Sequence, residues 1–387
     1  MKKLIIAVCL LLVLSLLCGC AKTGETKSNE LKNRLIILAL GLDKAEDGKI
    51  LVSVQALNTD VTSNASSQST PESMVKYYSQ KGKSISEAIS KLSDLTGKNP
   101  LLSQNRIVIF GWELANDGIS DYLDDFIRNT ENRSSVLIAV SQEKAQKIVY
   151  ADVGENIIPA RMAEQIIESS AEQGYCLNTR VYDLINEITD EKSCLAVPVI
   201  KLKESDENSS KMYVDSIGIF KSDKLSSVKQ SDVVKGILFA CNRIQKGMVE
   251  VEYNDSNIAL SILKSTTRTK TKIADGKPEF IIKIDASMKV SEINGNILKK
   301  KTEKDFKMIE KLASERIKEY VENSINECII KEGLDIFGFG KRLMRTQPKY
   351  YKNNITNWLD EMGTSEYSVE VTVRLKGVGD SAAVLHG

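Results

Sequence analysis

Histidine is nearly absent from this chain of 387 residues, which has one, His386. A Ser-His-Asp triad or a metal site built from several histidines is therefore excluded from its body. A charge excess of one sign is also missing, because 53 Lys and Arg residues balance 52 Asp and Glu residues. The basic footprint typical of nucleic-acid-binding proteins is absent. We expect no nucleic-acid partner, no metal, no cofactor and no enzymatic activity.

Cysteine is scarce and scattered. Three of the seven cysteines, Cys9, Cys18 and Cys20, lie near the start of the chain, and the others are Cys176, Cys194, Cys241 and Cys328. No two of these last four are close enough for a C-x-x-C metal or redox motif. They lie in or beside apolar runs, so we expect buried free thiols and no disulfide framework.

The first twenty residues have the pattern of an export signal. Lys2 and Lys3 precede an apolar run over 4–17, which is short for a membrane-spanning helix. The run ends in Leu17-Cys18-Gly19-Cys20, which resembles the bacterial lipobox. We therefore predict a signal peptide over 1–19, a diacylglyceryl (palmitate-bearing) anchor on Cys20, and a polar tether over 20–33. The anchor would hold the body at the extracytoplasmic face of a membrane.

The segment 34–203 is predicted to be an N-terminal α/β domain, because strand and helix patterns alternate along it. Two apolar runs around Asp47-Gly48 predict a hairpin, and its first strand is apolar throughout, which is typical of a central strand. Ser84 and Glu87 form a capping box for a helix that Gly97 ends. A later serine, Ser141, is expected to cap a short helix that runs to Val149.

The segment 210–380 is predicted to be a C-terminal α+β region, which could divide near residue 253 into 210–253 and 254–380. The polar stretch 204–211 marks the boundary. The expected elements are strands over 213–220, 233–241 and 248–253, a hairpin around 274–277, helices over 303–332 and 348–362, and a last strand over 367–375. The fold class is therefore α/β (α+β mixed): several domains of mixed, mostly antiparallel sheets flanked by helices.

Three arginines, Arg106, Arg128 and Arg133, flank buried strands. They could bind a carboxylate ligand or a partner, but pairing with nearby acids is the commoner role. Arg268, Lys270 and Lys272 could touch anionic lipid, although solvated strand positions are the default. The Gly338–Lys341 stretch lacks the full phosphate-loop pattern, and a tight turn at a helix end explains it better.

Six segments follow one another in an order that matches a known family: 36–43 (IILALGLD), 99–106 (NPLLSQNR), 126–133 (FIRNTENR), 218–225 (GIFKSDKL), 235–239 (KGILF) and 335–340 (DIFGFG). Together with the lipobox they resemble the Ger(x)C family of spore germination lipoproteins. The resemblance implies a three-domain C subunit of a nutrient germinant receptor. It also implies assembly with A and B subunits in the inner spore membrane, and no catalytic residues.

Three functions are compared on this basis. The first is a non-enzymatic receptor subunit required for nutrient-triggered germination. The alternative is a solute-binding lipoprotein of a transport system, which would need two hinged lobes around a polar cleft. A cell-envelope hydrolase is a third candidate, and the lack of histidine and of a metal motif counts against it.

Overall fold

The structure is a computed structural model that describes residues 33–59, 74–128, 133–154, 157–188, 194–204, 210–294 and 303–378. The predicted signal peptide, Cys20 and the tether up to residue 32 lie outside the described residues. Across the described ranges, none of the helices combines the length and the apolar character needed to cross a bilayer.

The first sheet has nine strands: β1 (Arg34–Lys44), β2 (Ile50–Leu57), β3 (Val75–Gly82), β4 (Asn99–Leu101), β5 (Ile107–Phe110), β6 (Leu137–Ser141), β7 (Cys194–Glu204), β8 (Ser210–Lys221) and β9 (Lys224–Gln230). They lie in the order β3-β2-β1-β5-β6-β7-β8-β9, and β4 pairs with the start of β1. The central strands β1, β5, β6 and β7 are parallel, and the outer pairings are antiparallel. The predicted hairpin and the central position of its first strand are confirmed.

Helices cover both faces of this sheet: α1 (Ile85–Thr96), α2 (Trp112–Asp117), α3 (Ser120–Arg128), α4 (Ala145–Val149), α5 (Pro159–Glu172) and α6 (Val181–Ile188). Apolar residues of α1, α2, α3 and α6 share one core with one face of the sheet. Those of α4 and α5 belong to a second core on the opposite face. The predicted cap of α1 is confirmed, because the Ser84 hydroxyl accepts from the Glu87 N–H and Gly97 ends the helix with φ +67°.

The second sheet has four strands in sequential order: β10 (Met248–Tyr253), β11 (Ser256–Ala274), β12 (Lys277–Asn294) and β13 (Glu366–Val378). The predicted hairpin between β11 and β12 is confirmed, and its turn residues Asp275 and Gly276 have φ +48° and +77°. Positive φ at both positions matches the right-handed twist of a long hairpin. β13 then runs parallel to β12.

The remaining helices pack on the second sheet: α7 (Ser231–Ala240), α8 (Glu303–Ile325), α9 (Phe339–Thr346), α10 (Pro348–Asn354) and α11 (Trp358–Glu361). α8 continues as a π-helical turn, Asn326–Lys331. Helix α8 also covers the free edge of β13, because Ser314 Oγ accepts from the Val373 N–H (3.1 Å) and Glu310 Oε1 from the Leu375 N–H (2.7 Å). An edge strand covered in this way is a poor template for further pairing.

Two predicted elements are wrong. The run 233–241 lies in the helix α7 and not in a strand. An apolar run without clear periodicity is compatible with either element. Here the run packs against α8 and belongs to the second core, and this packing selects the helix. The single helix predicted over 348–362 is two helices. The chain breaks at 355–357, where the Asn357 side chain accepts from the Leu359 N–H and caps α11.

Strand pairing crosses the polar stretch at 205–209, because β7 pairs with β8 over its whole length. The second core also contains residues of both sheets, among them Ile217 of β8 and Phe280 of β12. The fold class, a mixed α+β architecture with two sheets flanked by helices, is confirmed. The division into domains at 34–203 and 210–380 stays a prediction.

Asp43 ties the end of β1 to the start of α4. Its buried carboxylate accepts from the Ala145 N–H (2.7 Å) and the Gln146 N–H (2.9 Å). Ser141, the predicted cap, instead accepts from the Glu143 N–H within the preceding turn. Gly111 lies so close to Asp43 that a Cβ there would clash with the carboxylate. Burial raises the pKa of Asp43, and the two N–H donors partly offset the shift.

Replacing Asp43 with alanine is expected to lower the free energy of unfolding by about 1–3 kcal/mol, because the buried N–H of Ala145 and the half-buried N–H of Gln146 lose their acceptor. Chemical denaturation followed by circular dichroism measures this. Asp47→Ala is the matched control, since Asp47 is exposed and, in the described part of the chain, its side chain bonds to Lys49, two residues away. Equal effects of the two substitutions would contradict the capping role.

Candidate functional site

A cleft of about 250 Å³ lies where the two sheets meet. Helix α6 and the start of β7 line one side, and the end of α7, part of β11 and the turn before α9 line the other. Its charged lining residues are Asp183, Glu187, Arg243, Lys341 and Arg342. The cleft is a polar concave region of the kind in which a ligand-binding hypothesis would place a solute.

Charges in the cleft already join its two walls. Lys341 Nζ lies 2.5 Å from Glu187 Oε2, which links α9 to α6. Arg342 donates to the backbone oxygen of Thr269 on β11 (2.9 Å), and burial lowers the pKa of its guanidinium. Asp183 accepts from the Arg180 N–H at the start of its own helix. The Lys341–Glu187 pair crosses between the walls above a core shared by both sheets, which favours one rigid body over two hinged lobes.

Asp335 forms the structural centre beneath the cleft. Its fully buried carboxylate accepts from the Phe339 N–H (3.0 Å), the Gly340 N–H (2.7 Å) and the indole N–H of Trp358 (2.7 Å). Its backbone oxygen accepts from the Cys194 N–H (3.2 Å), the first residue of β7. Burial raises the pKa of the carboxyl, while the three N–H donors act in the opposite direction. One residue thus connects α9, α11 and the first sheet.

The same geometry explains the glycine-rich turn that follows Asp335. Gly338 has φ +71° and precedes α9, so the turn lies at the start of a helix and not, as expected, at the end of one. A helix N-terminus attracts anions. Here the chain's own carboxylate occupies that position, and a Cβ on Gly340 would lie 2.6 Å from the Trp358 indole nitrogen. A phosphate loop at this turn is therefore excluded on structural grounds.

The three predicted arginines lie at one end of the first sheet, apart from the cleft. Arg106 immediately precedes β5, and its guanidinium pairs with Glu164 on α5 at 2.5 Å. Arg128 is exposed at the last residue of α3, and Arg133 is exposed shortly before β6. Residues 129–132 between them lie outside the described part of the chain. A ligand or partner role for these arginines stays a prediction.

The four remaining cysteines are free thiols, and Cys176, Cys194 and Cys328 are buried. Burial raises the pKa of each of the four thiols to about 12. The thiolate is the nucleophilic form of cysteine, so these groups stay protonated near neutral pH. Among the described residues, no group of three or more His, Cys, Asp or Glu side chains is arranged to hold a metal ion.

The native protein is expected to react with a maleimide at these cysteines about a thousandfold more slowly than the unfolded protein at pH 7.5, because the thiolate population falls tenfold per pKa unit. Mass spectrometry of the Cys20→Ala protein, with and without denaturant, counts the labelled thiols. Fast labelling of Cys194 in the native protein would contradict its burial beside Asp335.

The sequence patterns missed the structural roles of Asp43, of Asp335 and of Gly236, where a Cβ would clash with the backbone oxygen of Tyr320 on α8. All three lie in segments that resemble the Ger(x)C family, 36–43, 335–340 and 235–239. The sequence did contain a signal for these roles, namely a single acidic residue or glycine inside an apolar run. Such a residue lowers the stability of a buried segment unless it makes a specific contact.

Two protein-family descriptions match this chain in tandem. "Spore germination protein N-terminal domain" matches residues 27–202. "Spore germination B3/ GerAC like, C-terminal" matches residues 215–379.

Curated relatives have the same association with germination. The chain is 24% identical over 338 residues to the putative spore germination protein YfkR of Bacillus subtilis, with 86% of this chain and 87% of the relative covered. It is 21% identical to spore germination protein KC of the same species, and the alignment covers 95% of this chain and 94% of the relative. Spore germination protein GerQC of Bacillus cereus is 22% identical, and the alignment covers 80% of this chain and 84% of that protein.

A solved structure supports the fold. The crystal structure of the GerBC protein aligns with a TM-score of 0.58 and 17% identity, over 87% of this chain and 97% of that one. At this identity the likeness concerns architecture alone. Because the two family descriptions together span nearly all of the described chain, in order, the protein belongs to the Ger(x)C family of spore germination proteins.

Proposed function

We propose that the chain is the lipid-anchored C subunit of a nutrient germinant receptor. The observation that carries the proposal is the tandem family match over 27–202 and 215–379. Spore germination is the process for which the matched families and relatives are named, and none of those names denotes an enzyme or a transporter. The chain would act without catalysis, as a rigid body attached to the membrane through Cys20 and packed against A and B subunits in the inner spore membrane.

The structure supports such a role by its rigidity. The shared core, the Asp335 contacts and the Lys341–Glu187 pair hold the two sheets together. Two sheets joined in this way do not form the hinged lobes that a solute-binding protein closes around its ligand. This favours the receptor subunit over the solute-binding lipoprotein. We also propose the domain division at 34–203 and 210–380, since the two family matches meet between residues 202 and 215.

The experiment is nutrient-induced release of dipicolinate from spores that lack this gene, complemented with wild type, Cys20→Ala or Cys18→Ala. We expect the gene-deleted spores to lose dipicolinate release for at least one nutrient. Wild type and Cys18→Ala should restore release fully, and Cys20→Ala should restore it weakly. Cys18→Ala is the matched control, because it removes a neighbouring thiol of the predicted signal and leaves Cys20 in place. Normal release from gene-deleted spores, in a strain without other receptors of this type, would refute the proposal.

A further inference from the structure

The outer side of strands β11, β12 and β13 in the second sheet is basic. Strand alternation puts the apolar residues of β12 on the core side and leaves the other side to solvent. The register of β11, β12 and β13 brings eight basic residues together on this outer side, and we call them the basic sheet face: Lys264, Arg268, Lys270, Lys272, Lys283, Lys289, Arg374 and Lys376. On the same side these three strands also have Lys277 and five acidic residues, Glu279, Asp285, Glu292, Glu366 and Glu370. The outer side of β11, β12 and β13 thus has a net charge of +4, while that of the whole chain is +1. Glu250 and Glu252 on the outer side of the edge strand β10 reduce the total for the whole sheet to +2.

Most of these basic groups are not neutralised locally. Lys272 pairs with Glu279 (2.8 Å) and Lys283 with Glu370 (2.6 Å). The other six basic residues are exposed and form no ion pair within the described ranges: Lys264, Arg268, Lys270, Lys289, Arg374 and Lys376. A row of unpaired cations on adjacent strands repels itself, so it lowers the stability of the sheet slightly. An anionic surface placed against the face would remove that repulsion.

The basic sheet face lacks the features of a protein-binding surface. Protein interfaces have an apolar core rich in aromatic residues. Among the described outer positions of β11, β12 and β13, the large apolar residues are the half-buried Ile281 and the exposed Leu263, which lies at the bulge beside Lys264. The face is therefore suited to a partner that offers many mobile negative charges and requires no apolar contact. Phospholipid headgroups have this chemistry.

We propose that the basic sheet face lies against anionic phospholipid headgroups of the membrane in which the chain is anchored. The inference rests on the proposed function, since the anchor on Cys20 would hold the body near the bilayer and raise the effective concentration of the two surfaces. Basic side chains near such a surface gain attraction that falls off within a Debye length. The contact would orient the body, with the second sheet towards the lipid and the first sheet away from it.

The experiment uses the full lipidated chain in phosphatidylcholine vesicles with or without phosphatidylglycerol. A reporter cysteine replaces Thr266, which lies on the outer side between Lys264 and Arg268. A second reporter, Ser226→Cys, lies exposed on β9 of the first sheet. The rate of labelling by a membrane-impermeant maleimide is the readout. Labelling at 266 is expected to be about tenfold slower with phosphatidylglycerol, and labelling at 226 is expected to be unchanged.

Charge reversals test the cause. Lys264→Glu with Lys270→Glu should abolish the protection of residue 266. The matched control is Lys221→Glu with Lys224→Glu, which makes the same change of charge at two exposed residues of the first sheet and should leave protection intact. About 1 M salt, where the Debye length is ~3 Å, should also remove the protection.

Other outcomes would overturn the proposal. Equal labelling of residue 266 in the two kinds of vesicle would show that the face does not meet the lipid. Equal loss of protection with both charge reversals would show an effect of total charge. Protection by the soluble polyanion heparin, without protection by anionic vesicles, would indicate a polyanion site instead. Flotation with pure phosphatidylcholine vesicles separates these results from failure of the proposed function, since a chain without its lipid anchor would not float with neutral vesicles.

Discussion

The Asp335→Ala protein is expected to unfold with a free energy about 3–5 kcal/mol lower than that of wild type. The substitution removes the acceptor of three N–H groups, those of Phe339, Gly340 and the Trp358 indole. An unsatisfied buried donor costs about 1–3 kcal/mol, and two of the three lie at the start of α9, where no intrahelical acceptor replaces the carboxylate. Chemical denaturation of the purified protein measures the difference.

Two further variants separate this loss from a general effect of removing a charge. Trp358→Phe removes one of the three donors and keeps an aromatic ring, so it should cost about 1–2 kcal/mol. Asp285→Ala removes an exposed carboxylate from the outer side of β12 and should change stability by less than about 0.5 kcal/mol. If Asp335→Ala were as mild as Asp285→Ala, the buried contacts of Asp335 would not stabilise the fold.

Replacing Gly236 with alanine is expected to lower the free energy of unfolding by about 3 kcal/mol. Gly236 lies in α7 where the helix crosses α8, and a Cβ there would clash with the backbone oxygen of Tyr320 and lie 2.6 Å from the Ser324 hydroxyl oxygen. Alanine favours a helix over glycine by about 1 kcal/mol. Here steric overlap with backbone outweighs that preference, because α7 and α8 must move apart within a close-packed core.

Gly363→Ala is the matched control for this crossing. A Cβ at Gly363 meets no atom within 4 Å. The substitution is expected to be neutral or to stabilise by about 0.5 kcal/mol, since alanine has less conformational freedom in the unfolded chain. Thermal unfolding of both variants compares the two positions. Equal midpoints would mean that α7 and α8 have room to separate.

Local patterns predicted much of the fold correctly. The capping box at Ser84 and the turn at Asp275-Gly276 act over a few residues, so both can be read from the sequence and both are confirmed. The alternation along 280–290 likewise predicted which side of β12 is buried. These features depend on neighbouring residues, whose spacing sets the periods of helix and strand.

Predictions failed where the deciding contact is distant in sequence. The helix at 231–240 has an apolar run that fits a strand equally well, and packing against α8 decides between them. Arg106 pairs with Glu164, which is 58 residues away in the sequence. Local spacing holds no information about such pairs.

The sequence by itself determined the family and most of the strands and hairpins, because these follow from short motifs and periodicity. The anchor at Cys20 is a prediction from the same kind of motif. Tertiary structure alone decided the roles of Asp43 and Asp335 and the grouping of the basic sheet face. Asp43 caps a helix that begins 102 residues later, and the face combines side chains of strands as distant as β11 and β13. A carboxylate's partner and a surface's net charge depend on which segments the fold places side by side, and folding brings those segments together only when the apolar cores form.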